Sequence, residues 1–105
     1  MRVELLYADG DPAAMPARQN LVEVLTEDAF ETPIQMIAVA SEADAELLGM
    51  RGSPMIRIDG LDIDPDWDGP IGLAARVYDA DGVPAKRLIR RAVERARGWA
   101  HGRRR

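Results

Sequence analysis

Three stretches of this 105-residue chain carry side chains with chemistry to offer. The first is Tyr7-Ala8-Asp9-Gly10-Asp11-Pro12, where a phenol and two carboxylates bracket a turn. Asp11 has the makings of a base or ligand, and Tyr7 of a hydroxyl donor. The local pattern already accounts for both: Asp11 reads as a helix N-cap worth about 1 kcal/mol, with Pro12 suited to the first helical position and the helix dipole favouring the carboxylate. Tyr7 reads as a ring packed at the end of a strand. The second stretch is Gly52-Ser53-Pro54-Met55-Ile56-Arg57-Ile58-Asp59-Gly60, a proline opening a strand that stops at a turn. A cis Ser53–Pro54 bond is expected there, since X-Pro is the one linkage at which cis is accessible. The third is Asp64-Pro65-Asp66-Trp67-Asp68-Gly69, which matches the opening of a calcium loop. Its twelfth position is Ala75 rather than a bidentate Glu, and no helices flank it, so an acidic solvated loop is the favoured reading. Trp67 within it is either an exposed interface anchor or a cover for a sheet edge, and Trp99 has the same two readings.

The residue inventory removes most other chemistry. With no cysteine there is no thiol redox couple, thiolate nucleophile or iron–sulfur ligation. A single histidine, His101, leaves no material for a Ser-His-Asp triad or a histidine metal site. No cofactor or metal is expected. Hydrophobic content of 47% with 30% charged residues is that of a globular protein, and no apolar run approaches the roughly 18 residues of a membrane span. The opening Met-Arg-Val-Glu-Leu-Leu-Tyr enters a strand pattern at once, so a cytoplasmic location is expected.

Net charge is −4, but unevenly spread. Residues 1–85 hold five arginines against seventeen acidic residues, and residues 86–105 hold nine basic residues against Glu94 alone. Arg87, Arg90 and Arg91 therefore form a candidate surface for an acidic partner. The simpler reading, which is favoured, rests this helix face on the domain's own acidic surface. Nucleic acid is not expected as a partner: the body is acidic and no nucleic-acid motif is present.

The elements that position these stretches follow from periodicity. Arg2 to Tyr7 reads as a strand covered on both faces. Asp11 and Pro12 start a helix with Leu21, Val24, Leu25 and Ala29 on one stripe, and Pro16 either bends it or begins its regular part. Ile34 to Val39 is a second strand. Ser41 caps a short helix that Gly49 ends. Met55 to Ile58 is a third strand, Asp59-Gly60 a hairpin turn, and Leu61 to Ile63 a short edge. After an irregular insertion, Ala74 to Tyr78 returns to strand, and Pro84 starts a helix with Leu88, Ile89, Ala92, Val93 and Ala96 inside and Gly98 at its end. The order β-α-β-α-β-β-α predicts an α/β fold, a mixed sheet with helices on both faces. One domain spans residues 1–98, with a basic tail at 99–105.

These residues carry a resemblance. Gly10-Asp11-Pro12, Gly52-Ser53-Pro54 with Asp59-Gly60, and Gly72-Leu73-Ala74-Ala75-Arg76-Val77-Tyr78 fall in the order and spacing of small actinobacterial thioredoxin-like proteins. The likeness runs from Val3 to about Arg97. It implies a thioredoxin-like fold and a groove between the first helix's N-terminus and the Pro54 loop that accepts extended peptide or glutathione-like backbone. The family's motif cysteine falls on Asp11, the thioredoxin second cysteine on Ala14 and the later strand's cysteine on Ala75, so redox activity does not carry over. The expectation is a redox-inactive module that binds a protein or peptide through Asp9, Asp11, Pro12, Met15, Ser53, Pro54 and Met55. The alternatives are a non-thiol enzyme using Asp11 or Tyr7, and a subunit docking through its basic helix.

Overall fold

Alternation along the first strand decides the architecture. Leu5 and Leu6 are adjacent and both wholly buried, and neighbouring side chains on a strand point to opposite faces. A layer must therefore cover each face. The computed structural model describes residues 1–78 and 81–102, with residues 99–102 followed through their backbone alone. The elements are β1 (Val3–Ala8), α1 (Ala14–Glu27), β2 (Ile34–Val39), α2 (Glu42–Leu48), β3 (Arg51–Ser53), β4 (Met55–Ile58), β5 (Leu61–Asp62), β6 (Gly72–Ala75) and α3 (Lys86–Gly102). On one face Val3, Leu5, Ile56 and Ile58 meet Leu21 and Val24 of α1 and Ile89 and Val93 of α3. On the other, Leu6, Val39, Met50 and Met55 meet Ala45 of α2.

The sheet runs β2-β1-β4-β5. β1 is parallel to β2, from Val3 opposite Ile34 to Ala8 opposite Val39, and antiparallel to β4, from Val3 opposite Ile58 to Leu6 opposite Met55. The β4–β5 hairpin turns through Asp59 and Gly60, both at positive φ (53° and 84°), as a two-residue primed turn requires. The chain is thus an α/β domain with a mixed sheet and three helices. No helix among the described residues is long and apolar enough to cross a membrane.

Four expectations need correction. α1 begins at Ala14 with Ala13 as its N-cap and no side-chain cap, so Asp11 and Pro12 lie in the preceding turn. Pro16 then sits in the first turn, where its missing N–H costs no helical hydrogen bond. α3 begins at Lys86, not Pro84, and continues past Gly98 to Gly102; Gly98 lacks the positive φ of a terminating glycine. The late strand is Gly72–Ala75 rather than Ala74–Tyr78, and it pairs in parallel with the unforeseen β3 in a separate two-stranded ribbon. By contrast, Ser41 accepts the Asp44 N–H (3.1 Å) and Gly49 ends α2 at φ 67°, both as expected. The segment 99–105 expected as a tail is helical in backbone to Gly102; the Trp99 side chain and the arginines 103–105 lie outside the described residues.

Candidate functional site

At the C-terminal end of β1 the chain turns into α1, and Ser53 arrives against that turn. The Ser53–Pro54 bond is cis. Ser53 is 3% exposed, and its Oγ does two things: it donates to the Asp11 carboxylate and accepts the Ala8 N–H at 2.8 Å. The other Asp11 oxygen accepts the Ala13 N–H at 2.9 Å. Asp11 is thus a clamp between the turn ahead of α1 and the Ser53–Pro54 segment, not the N-cap its sequence position predicts. A Ser53 hydroxyl so occupied and so buried is closed to a substrate.

The segment's carbonyls are also committed. The Ser53 carbonyl accepts the Arg76 N–H at 2.9 Å, and the Pro54 carbonyl accepts the Tyr78 hydroxyl at 2.6 Å. Met55 is a core residue of the α2 face, its sulfur 3.4 Å from the Arg51 N–H. Of the seven expected groove residues, the structure joins Asp11 to Ser53 and leaves Asp9, Pro12 and Met15 exposed around them. Pro54 and Met55 lie beneath, buried. Met15 is 63% exposed, an uncovered apolar side chain on the first turn of α1. Tyr7 is a packing residue of the α1–α3 core face.

On the opposite flank is a residue whose role the sequence did not announce. Arg76 is 1% exposed, the largest wholly buried side chain among the described residues. Its guanidinium carbon lies 4.3 Å from the Trp67 ring centroid and 4.8 Å from that of Tyr78, and Nη1 meets Asp62 Oδ2 at 2.6 Å. A buried arginine needs this company, because an unpaired interior charge is costly. Gly52 makes room for it: at φ 81°, a Cβ there would lie 2.3 Å from Arg76 Cγ. Nε and Nη2 of Arg76 nevertheless have no hydrogen-bond partner, and such orphaned donors cost roughly 1–3 kcal/mol each, more when charged. Burial pushes the Tyr78 phenol well above its ordinary 10.0, with Arg76 opposing and Asp62 and Asp64 adding to the rise. Trp67 is therefore not an exposed anchor; half-buried, it lies over Arg76, just past the end of β6. The available signal was an arginine at the end of an otherwise apolar run, two residues before a tyrosine.

The remaining candidates resolve more simply. Arg90 pairs with Glu27 at 2.7 Å and Lys86 with Glu23 at 3.1 Å, both across to α1. The Glu27 hydrogen bond raises the Arg90 pKa further. Part of the basic helix thus rests on the domain's own acidic helix. Arg87 and Arg91 line a cavity of about 150 Å³ with Asp64, Tyr78, Ala85 and Leu88. Among the described residues, Asp64, Asp66 and Asp68 belong to no group of three acidic or histidine side chains placed to hold an ion.

Comparison with protein-family models, with curated proteins and with solved structures gives no match for this chain.

Proposed function

We propose that the chain is a thioredoxin-like domain that works by binding, without thiol chemistry, through the rim around the Asp11–Ser53 contact. The observation that carries this reading is that contact itself, which fixes the Ser53–Pro54 segment against the turn ahead of α1 and leaves Asp9, Pro12 and Met15 outside. The central β1, its parallel and antiparallel neighbours and the helices on both faces support the fold assignment. Where a thioredoxin carries thiols, this chain carries Asp11 and the buried Ala14. An extended peptide or protein segment is the occupant, with Met15 supplying an adaptable apolar contact and Asp9 favouring Lys or Arg nearby.

The binding reading is preferred over a non-thiol enzyme because Ser53 Oγ and both Asp11 oxygens are spent on internal hydrogen bonds. It is preferred over docking by the basic helix because Lys86 and Arg90 are already ion-paired within the domain. The test compares labelled extended peptides of equal length, basic and acidic, by fluorescence anisotropy. Since Asp11 also holds Ser53, the charge reversal belongs at the exposed Asp9. Basic peptides should bind more tightly; Asp9→Lys should weaken them, and Arg90→Glu with Arg91→Glu should not. Acidic peptides bound best, and lost on reversing Arg90 and Arg91, would replace the rim with the basic helix.

A further inference from the structure

The Arg76 guanidinium has two usable edges, one ending in Nη1 and one formed by Nε and Nη2, and only Nη1 is engaged. Nη1 is spent on Asp62. Nε and Nη2 share the other edge, their N–H bonds parallel, in the fork that receives two oxygens of one planar anion. Neither has a hydrogen-bond partner, although both are fully buried. The other orphaned side-chain nitrogen among the described residues, Arg57 Nε, lies 3.4 Å from a Glu4 oxygen and so keeps a neutralising neighbour.

Part of what covers Arg76 is Trp67, a side chain on an irregular loop. Trp67 stands on the segment 64–70, which contains no helix or strand. The Trp67 ring folds against its own loop, so closely that a Cβ on Gly69 would lie 2.0 Å from it. Among the described residues the loop is held by Arg51 Nε to the Gly69 carbonyl at 3.2 Å, the Asp64 N–H to Asp62 at 2.9 Å and, within itself, the Trp67 N–H to the Asp64 carbonyl at 3.2 Å. Tyr78, the other ring against the guanidinium, is held by its hydrogen bond to the Pro54 carbonyl. Lifting the loop would remove the ring over the guanidinium and leave the strand pairings of the sheet in place.

We propose that the Nε/Nη2 edge of Arg76 is a binding fork for a single carboxylate, covered in the free protein by Trp67. The fork geometry suits carboxylate and phosphate alike, and the surrounding charge decides between them. Asp62 already balances the single charge of Arg76, Asp64 lines the neighbouring cavity, and Asp66 and Asp68 ride on the covering loop. Any added anion leaves these groups net negative, and a dianion is repelled more strongly than a monoanion, so hydrogen bonding to the free edge favours a carboxylate. The carboxylate is either a peptide C-terminus or a small free acid. The proposal is independent of the rim around Asp11 and survives if that rim binds nothing.

The experiment follows the Arg76 Nε–Hε resonance by ¹H–¹⁵N NMR while the full chain is titrated at constant ionic strength. The probes are acetate, a short peptide with a free C-terminus, the same peptide amidated, inorganic phosphate and chloride. A saturable downfield shift with acetate or the free-acid peptide is expected, with the amidated peptide and chloride inert. Response to the peptide alone identifies a chain terminus as the source, and response to acetate alone a small acid. Trp67→Ala should tighten binding several-fold by removing the competing closed state. Arg76→Lys keeps the charge but not the fork and lacks the reporting resonance, so it is followed at the Trp67 indole N–H, whose ligand-induced shift in wild type should be absent in this variant. No saturable shift through the millimolar range in both wild type and Trp67→Ala would overturn the proposal. So would phosphate binding more tightly than acetate, or an amidated peptide that binds and does so as tightly as the free-acid peptide.

Discussion

Gly52-Ser53-Pro54 has two flanks, and they handle polar groups in opposite ways. Toward α1, the Ser53 hydroxyl, the Ala8 and Ala13 amides and the Asp11 carboxylate satisfy one another. Toward β6, Arg76 is just as buried but keeps two donors unpaired beneath an aromatic ring. The first arrangement fixes geometry and leaves its function to the exposed side chains around it. The second retains unspent hydrogen-bonding capacity, which a folded domain sustains only if packing, stacking and the Asp62 pair offset the cost. The comparison separates polar groups that hold a surface in place from polar groups still able to receive a ligand.

The two flanks meet at Gly52, so the largest expected effect is there. Gly52→Ala combines a positive φ with a Cβ 2.3 Å from Arg76 Cγ, and should cost roughly 2–5 kcal/mol, read as a lowered urea midpoint. A near-neutral outcome would mean that Arg76 is not seated as described. Next comes the satisfied flank. Ser53→Ala strands the Ala8 amide and removes a donor from Asp11, for a loss of about 1–3 kcal/mol. In a double-mutant cycle Asp11→Ala and Ser53→Ala together should cost clearly less than their sum; additivity would break the clamp.

Tyr78→Phe is smaller at neutral pH, about 1 kcal/mol for the bond to the Pro54 carbonyl, but it carries a pH signature. The Tyr78 pKa is raised on folding, so the unfolded chain releases this proton first. Its contribution is complete below the unfolded pKa near 10.0 and declines above it by about 1.4 kcal/mol per pH unit until the folded group ionises. Wild type should therefore lose stability above that pH relative to Tyr78→Phe, and parallel pH profiles would mean that Tyr78 is not buried as a neutral phenol. The smallest effect belongs to the helix pairing: Lys86→Ala removes a half-exposed pair worth about 0.2–1 kcal/mol, and the loss should vanish in high salt.

How legible this was depended on how local the signals were. The hairpin at Asp59-Gly60, the Ser41 cap, the Gly49 terminus and the apolar stripes of α1 and α3 are written within a few residues, and each appears in the fold, except that Ala29, expected on the α1 stripe, lies past the helix end, exposed and at φ 56°. Asp11 was misassigned because its sequence context suits an N-cap, while its actual partner is 42 positions away. β3 was invisible because Arg51-Gly52-Ser53 lacks strand propensity and becomes a strand only by pairing with β6. Arg76 was passed over for a related reason. Its burial depends on Trp67, Asp62 and Gly52 converging from three segments, and no spacing rule encodes that convergence.

The central claim, that the clamped flank presents a binding rim, is tested most directly by methyl NMR of the five methionines. ¹³C-methyl-labelled protein is titrated with the best-bound basic extended peptide. Met15 on the rim should shift strongly and saturably, while Met50 in the core and Met36 on β2 stay in place. A Met15 methyl that does not move while a peptide demonstrably binds would contradict the account.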